Sequence, residues 1–170
     1  MPSLADITFL VFDVDGVLTD GAIQIDDRGV ETKSFSVRDG FAIRAAMRHG
    51  LKVGILTGRS SQCVALRMEE LGVTHLMQGS KNKAIGIETL CQQAGVDLAA
   101  TCFVGDDMPD MPAMLLCGYR ICPADAAPEV RAIADHITHA TGGKGVARQA
   151  VEHILMAQNK WEEVLEEFGG

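Results

Sequence analysis

Asp13 and Asp15 stand one residue apart at the end of the apolar run Phe9-Leu10-Val11-Phe12, and positions two apart along an extended chain share a face. Carboxylates that close repel unless a cation or a shared proton neutralises them. A hard divalent cation such as Mg2+, which prefers oxygen ligands, meets that demand and leaves one aspartate as nucleophile and the other as general acid/base. Further along, Thr57 follows the run KVGIL, Lys83 follows a polar loop, and Asp106, Asp107 and Asp110 follow the run TCFVG. A hydroxyl and an ammonium can donate to the equatorial oxygens of a phosphoryl group, where negative charge sits in the transition state. Phosphoryl transfer needs each of these residue types. Asp13 attacks phosphorus in line, and Asp15 protonates the leaving alkoxide, then deprotonates the water that hydrolyses the aspartyl-phosphate. Asp106 joins Asp13 and the backbone carbonyl of Asp15 as metal ligands, while Asp107 and Asp110 stand behind them, Asp110 orienting water or Lys83.

The elements that must deliver these groups are legible in the hydropathy pattern. Residues 7–12 are apolar on both faces, as in a central parallel strand covered by helices on two sides. Similar strands are expected at 52–57, 73–77, 101–104, 119–122 and 136–138, each pair separated by a segment of helical spacing or a short loop. That alternation predicts an α/β fold, a doubly wound parallel sheet of the Rossmann-like kind with right-handed crossovers. Residues 22–36, around the turn Asp26-Asp27-Arg28-Gly29, read as a β-hairpin inserted after the first strand, with a helix over 41–49 behind it. The last segment begins with the cluster Gly142-Gly143-Lys144-Gly145, expected to give a tail freedom to move, and continues as one helix to about 168 whose acidic end frays or docks on something basic.

Composition narrows the partners. A chain of 170 residues with 47% hydrophobic content suits one domain, 1–170, with a core that needs no staples. A net charge of −8 disfavours nucleic acid. Five scattered cysteines without a CxxC pair read as small core residues in a reducing cytoplasm. The start of the chain lacks a basic region before its apolar run, so neither a leader nor a membrane span is expected. His136 and His139 form an HxxH that would diverge at a strand end, and Met108, Met111 and Met114 read as core packing.

The set DVD, LTGR, Lys83 and GDDMPD, present in order, resembles the motifs of the haloacid dehalogenase superfamily. Asp15 within that superfamily points to phosphatases and phosphomutases. The intervals between motifs leave no room for an inserted cap domain, so the monomer is expected to be capless, with a neighbouring subunit's hairpin or tail shielding the site.

A narrower resemblance spans nearly the whole chain. FDVDGVLTDG, SVRDGFAIR, ILTGRSSQCVALRMEELG, QGSKNKAIGI, VGDDMPDMPAM and GGKGVARQ are similar to segments of the KDO-8-phosphate phosphatases, which release phosphate from an eight-carbon sugar acid of lipopolysaccharide synthesis. The resemblance implies a homotetramer and Mg2+, and maps Asp15, Ser36, Val37, Arg38, Asp39, Gly40, Arg44, Arg59, Arg67 and Lys83 onto substrate-contacting positions. Guanidinium groups suit a substrate carrying a carboxylate and a phosphate. Lys144 is a further candidate contact in the tail. Where that family commonly has Glu after the tail arginine, Gln149 follows Arg148 here. A nine-carbon sialic-type acid 9-phosphate and a broad range of sugar phosphates are alternative substrates. A non-catalytic oligomeric module is the reading from another class, opposed by the intact Asp13, Asp15, Thr57, Lys83 and Asp106.

Overall fold

The computed structural model describes residues 3–170. Phe9–Phe12 forms the central strand β1, and alternate residues bury against opposite layers. Leu10 and Phe12 face one apolar cluster, and Phe9 and Val11 face the other. The remaining strands of the sheet are β4 (Lys52–Leu56), β5 (His75–Met77), β6 (Thr101–Val104), β7 (Tyr119–Cys122) and β8 (His136–Ile137). The sheet runs β5-β4-β1-β6-β7-β8, every pairing parallel. From β1 the chain winds first toward β5 and later returns to build outward from β6. The reversal puts a crevice at the carboxyl ends of β4, β1 and β6, where open α/β sheets bind ligands.

Helices cover both faces, as the doubly apolar strands require. On one side lie α1 (Val37–Arg48), α2 (Gln62–Leu71), α6 (Val146–Ala157) and α7 (Trp161–Glu166). The other side carries α3 (Lys83–Ala94), α4 (Met111–Leu116) and α5 (Pro128–Ile133). Between strands β1, β4 and β6 the connections hold only a hairpin, helices and a short strand, so the sheet is capless.

Several boundaries differ from expectation, each for a local reason. The hairpin pairs only β2 (Gln24–Ile25) with β3 (Glu31–Thr32), so most of 22–36 is turn or loop without a partner strand. Helix α1 begins at Val37, which draws Arg38, Asp39 and Gly40 into its first turn. Ser36 is the cause, since its hydroxyl accepts the Asp39 N–H and satisfies a donor that would otherwise be orphaned. The tail is two helices instead of one, broken where Asn159 takes a left-handed φ of 56°. Its acidic end docks: His49 lies between Glu163 (3.3 Å) and Glu167 (2.8 Å), and Arg48 pairs with Glu167 at 2.9 Å.

The glycine cluster is seated, not free. Gly143 donates its N–H to Val17 O at 3.0 Å with φ of +71°, and a Cβ on it would lie 2.7 Å from the backbone of Thr19 and Asp20. A Cβ on Gly142 would lie 2.3 Å from Gly16 O and 2.9 Å from Thr19 O. Small size, which permits this close backbone approach, is what the position uses.

Candidate active site

Three neighbouring strands set the geometry. Beyond the last paired residue of β1, Asp13 extends the ladder by donating its N–H to Val104 O at 3.0 Å. Thr57 does the same at the end of β4, donating to Met77 O at 3.0 Å, and is buried. Beyond β6, Gly105 leads to Asp106. Gly16, at φ +88°, lets the chain turn beneath that residue, because a Cβ there would fall on the Asp106 carboxylate.

Lys83 enters from the far side. Asn82 caps α3 by accepting the N–H groups of Ala84 and Ile85, which fixes Lys83 at the first helical position with its ammonium in the crevice. That ammonium sits 2.8 Å from Asp13 Oδ1 and also pairs with Asp110. Asp110 is held in turn by the backbone, accepting the N–H of Asp106 at 2.9 Å and of Asp107 at 3.2 Å through Oδ2. Asp13, Lys83 and Asp110 are all buried, so their charges act at low dielectric.

Oxygen atoms of Asp13, Asp106 and Asp110 lie within 4.8 Å of one another. Burial, reinforced by Asp110 and then Asp13, pushes the Asp106 carboxyl up to about 8. Burial and Asp110 push Asp13 up to about 6, against the opposing pull of Lys83. Burial would lower the Lys83 ammonium, but the two aspartates raise it on balance. One ammonium among three carboxylates leaves excess negative charge, and a hard-oxygen set of this kind fits Mg2+.

The other expected residues divide. The Asp15 carboxylate has its own partners: Lys33 Nζ lies 2.5 Å from its Oδ1, and Arg59 Nε 4.0 Å from its Oδ2. Asp110 joins Asp13 and Asp106 in the cluster of carboxylate oxygens. Asp107 is exposed and caps the following turn by accepting the Met108 N–H at 2.8 Å. Met108 is exposed as well, whereas Met114 is in the core.

Ser36, Val37 and Arg38 line a separate cavity of about 420 Å3 together with Lys144 and Asp20. Arg44 donates to Glu70 O at 2.6 Å, and Arg67 pairs with the Glu70 carboxylate at 2.8 Å beside a second cavity closed by Phe41 and Phe168. Gly40 is buried beneath the Arg67 guanidinium. Asp39 is buried and points into the protein, accepting the Arg148 N–H at 2.8 Å.

Glu31 and Lys33 escaped the sequence reading, which expected a neighbour's hairpin or tail over the site. Here the chain's own hairpin reaches Asp15. The signal was available, because Glu31 and Lys33 are two residues apart and so share one face of an extended strand.

Comparison with known proteins places this arrangement. A model of haloacid dehalogenase-like hydrolases matches residues 70–149. A 3-deoxy-D-manno-octulosonate 8-phosphate phosphatase of Salmonella typhi is 40% identical over 163 residues, 96% of this chain and 87% of that protein. The crystal structure of such a phosphatase from Moraxella catarrhalis, in complex with a magnesium ion, a phosphate ion and a KDO molecule, superposes with a TM-score of 0.94 at 38% identity, covering 97% of this chain and 95% of that one. The cobalt-bound form of the Haemophilus influenzae phosphatase gives a TM-score of 0.90 at 40% identity, covering 92% of each chain.

Proposed function

We infer the activity from one premise: the chain belongs to the family of 3-deoxy-D-manno-octulosonate 8-phosphate phosphatases, within the haloacid dehalogenase-like hydrolases. It hydrolyses KDO 8-phosphate to KDO and inorganic phosphate, a step toward lipopolysaccharide precursors. The observation that carries this reading is Asp13 at the end of β1, held 2.8 Å from Lys83 and within reach of Asp106 and Asp110.

Asp13 is the nucleophile. Its carboxylate oxygen forms a bond to phosphorus as the bond from phosphorus to the sugar oxygen breaks, and Asp15 gives a proton to the departing alkoxide. Asp15 then takes a proton from water, which attacks the aspartyl-phosphate and restores Asp13. Lys83 and the Thr57 hydroxyl donate to the phosphoryl oxygens as charge moves onto them. Asp110 orients Lys83 and, through the backbone of Asp106 and Asp107, the acidic turn. Asp13, Asp106 and the Asp15 carbonyl would hold Mg2+, with Asp110 behind them, and the bound ion would neutralise charge on the phosphoryl group.

The working form is a homotetramer in the cytoplasm. Val37 is 83% exposed at the start of α1, and Ile23, Ile25 and Val30 of the hairpin are exposed too, apolar surface suited to a second copy. Arg38, Arg44 and Arg67 line cavities apart from Asp13, as expected of groups that serve a neighbouring subunit's site. Arg59, next to Asp15, serves its own. The described cysteines are all free thiols, which suits a reducing compartment.

The test is phosphate release with Mg2+ from KDO 8-phosphate, a nine-carbon sialic-type acid 9-phosphate and simple sugar phosphates at matched concentrations. A large preference in kcat/KM for KDO 8-phosphate is expected, abolished in Asp13→Asn. Equal rates on every substrate would remove the named substrate, and Asp13→Asn activity equal to wild type would remove the mechanism.

A further inference from the structure

Lys33 lies in the extended chain that follows β3, yet its side chain is 1% exposed. A buried ammonium is costly unless paired, and this one is paired twice, with Asp15 Oδ1 at 2.5 Å and Glu31 Oε1 at 2.7 Å. The other Glu31 oxygen takes Arg59 Nη2 at 3.3 Å, and Arg59 Nε returns to Asp15 Oδ2 at 4.0 Å. Two acids and two bases thus close a ring with no net charge. Cys63 Sγ donates to the Glu31 carbonyl at 3.2 Å, anchoring the hairpin strand to α2 from below.

The ring treats the two Asp15 oxygens differently. Oδ1 carries a short bond to a buried ammonium, whereas Oδ2 has only a distant guanidinium and is the less engaged of the two. Glu31 on the far side of Lys33 offsets the ammonium's field, so the bond can orient Asp15 without an uncompensated positive charge beside it. Asp15 follows Asp13 in a loop, outside the sheet ladder, and a side chain there needs such a partner to stay within the small tolerance that proton transfer demands.

We propose that Lys33 is a positioning residue for Asp15: through one buried ammonium, the hairpin holds the general acid/base in register with Asp13. This rests on the assignment of Asp15 as general acid/base made above. The hairpin is then a working part of its own subunit's site, in addition to any surface it offers another copy.

The experiment compares Lys33→Met with wild type on an alkyl phosphate, whose leaving oxygen needs a proton, and on p-nitrophenyl phosphate, whose leaving group departs without one. Since kcat/KM reports events up to the first irreversible step, loss of a well-placed acid should lower it on the alkyl phosphate by about 10- to 100-fold more than on the aryl phosphate. A general loosening of the fold would lower both alike. Lys33→Met combined with Glu31→Gln removes both charges of the outer pair and keeps the local balance, so it decides the matter should the single variant not fold. The same selective loss is expected there. Equal loss on both substrates, no loss, or failure of both variants to fold would overturn the proposal. A wild-type protein inactive on every phosphomonoester would instead overturn the reading on which it rests.

Discussion

The Asp39 carboxylate, in the first turn of α1, accepts the backbone N–H of Arg148 at 2.8 Å across 109 residues of sequence. Helix α6 is preceded by Gly145, which has no side chain to cap it, so an aspartate from another helix does that work. Burial raises the Asp39 carboxyl, and the N–H groups of Arg148, Gly145 and Ala147 act against that. Its second oxygen is buried with no hydrogen-bond partner. A residue mapped by resemblance onto substrate binding thus joins the hairpin-proximal helix to the tail.

Asp39→Ala is expected to cost about 1–2 kcal/mol of unfolding free energy, the usual scale for a lost cap. Asp39→Asn keeps an acceptor oxygen and should cost less. Urea unfolding of the two variants checks this; equal stability to wild type in both would show that the cap contributes nothing.

Magnesium binding should release protons. With the Asp106 carboxyl near 8 and Asp13 near 6, part of the metal-free protein carries protons that a cation must displace. The apparent Mg2+ affinity should therefore rise with pH from about 6 to about 8 and level off above, by at most about tenfold per pH unit for each proton displaced. Calorimetric titration in buffers of different ionisation enthalpy counts those protons. Asp106→Asn should weaken binding and remove the upper part of the dependence, and a pH-independent affinity would contradict the geometry.

A second pH effect lies far from the crevice. His136 and His153 stack with ring centroids 3.9 Å apart, and Tyr119 Oη lies 3.0 Å from His153 Nε2. Burial lowers both imidazoles, and for His136 the proximity of His153 adds to it. Below the unfolded value of 6.5 the unfolded chain then binds protons that the folded chain refuses. Stability from this pair is complete above about 6.5 and declines as pH falls through the window beneath it. His153→Phe, which keeps a stacking ring, should lose less stability than wild type between pH 7.5 and 5.5 in urea unfolding. An unchanged difference would exclude the pair as a source of acid sensitivity.

Gly143→Ala tests the seat of the tail. An unstrained glycine-to-alanine change stabilises slightly, but the positive φ and the nearby Thr19 and Asp20 backbone should make the added methyl here destabilising by more than ~1 kcal/mol. Because Thr19 follows the Gly16 turn under Asp106, phosphatase kcat should fall as well. Thermal unfolding and steady-state kinetics report both, and a variant matching wild type in each would show that the loop tolerates displacement.

The sequence by itself determined the sheet and the chemistry it presents. Apolar runs on both faces of β1, β4 and β6 had to be central parallel strands, and the polar residue ending each run had to emerge at one edge, so Asp13, Thr57 and Asp106 were legible as neighbours from local pattern alone. Lys83 followed from its place after a polar loop at a helix start. Tertiary structure decided the pairings that span long stretches of chain: Asp39 with Arg148, Lys33 with Asp15, Glu163 and Glu167 with His49. Local periodicity reports which face of an element is apolar, whereas a buried charge finds its partner only when separate elements pack. For that reason neither the Lys33 pairing nor the Asp39 cap on the tail helix has a signature in the local pattern.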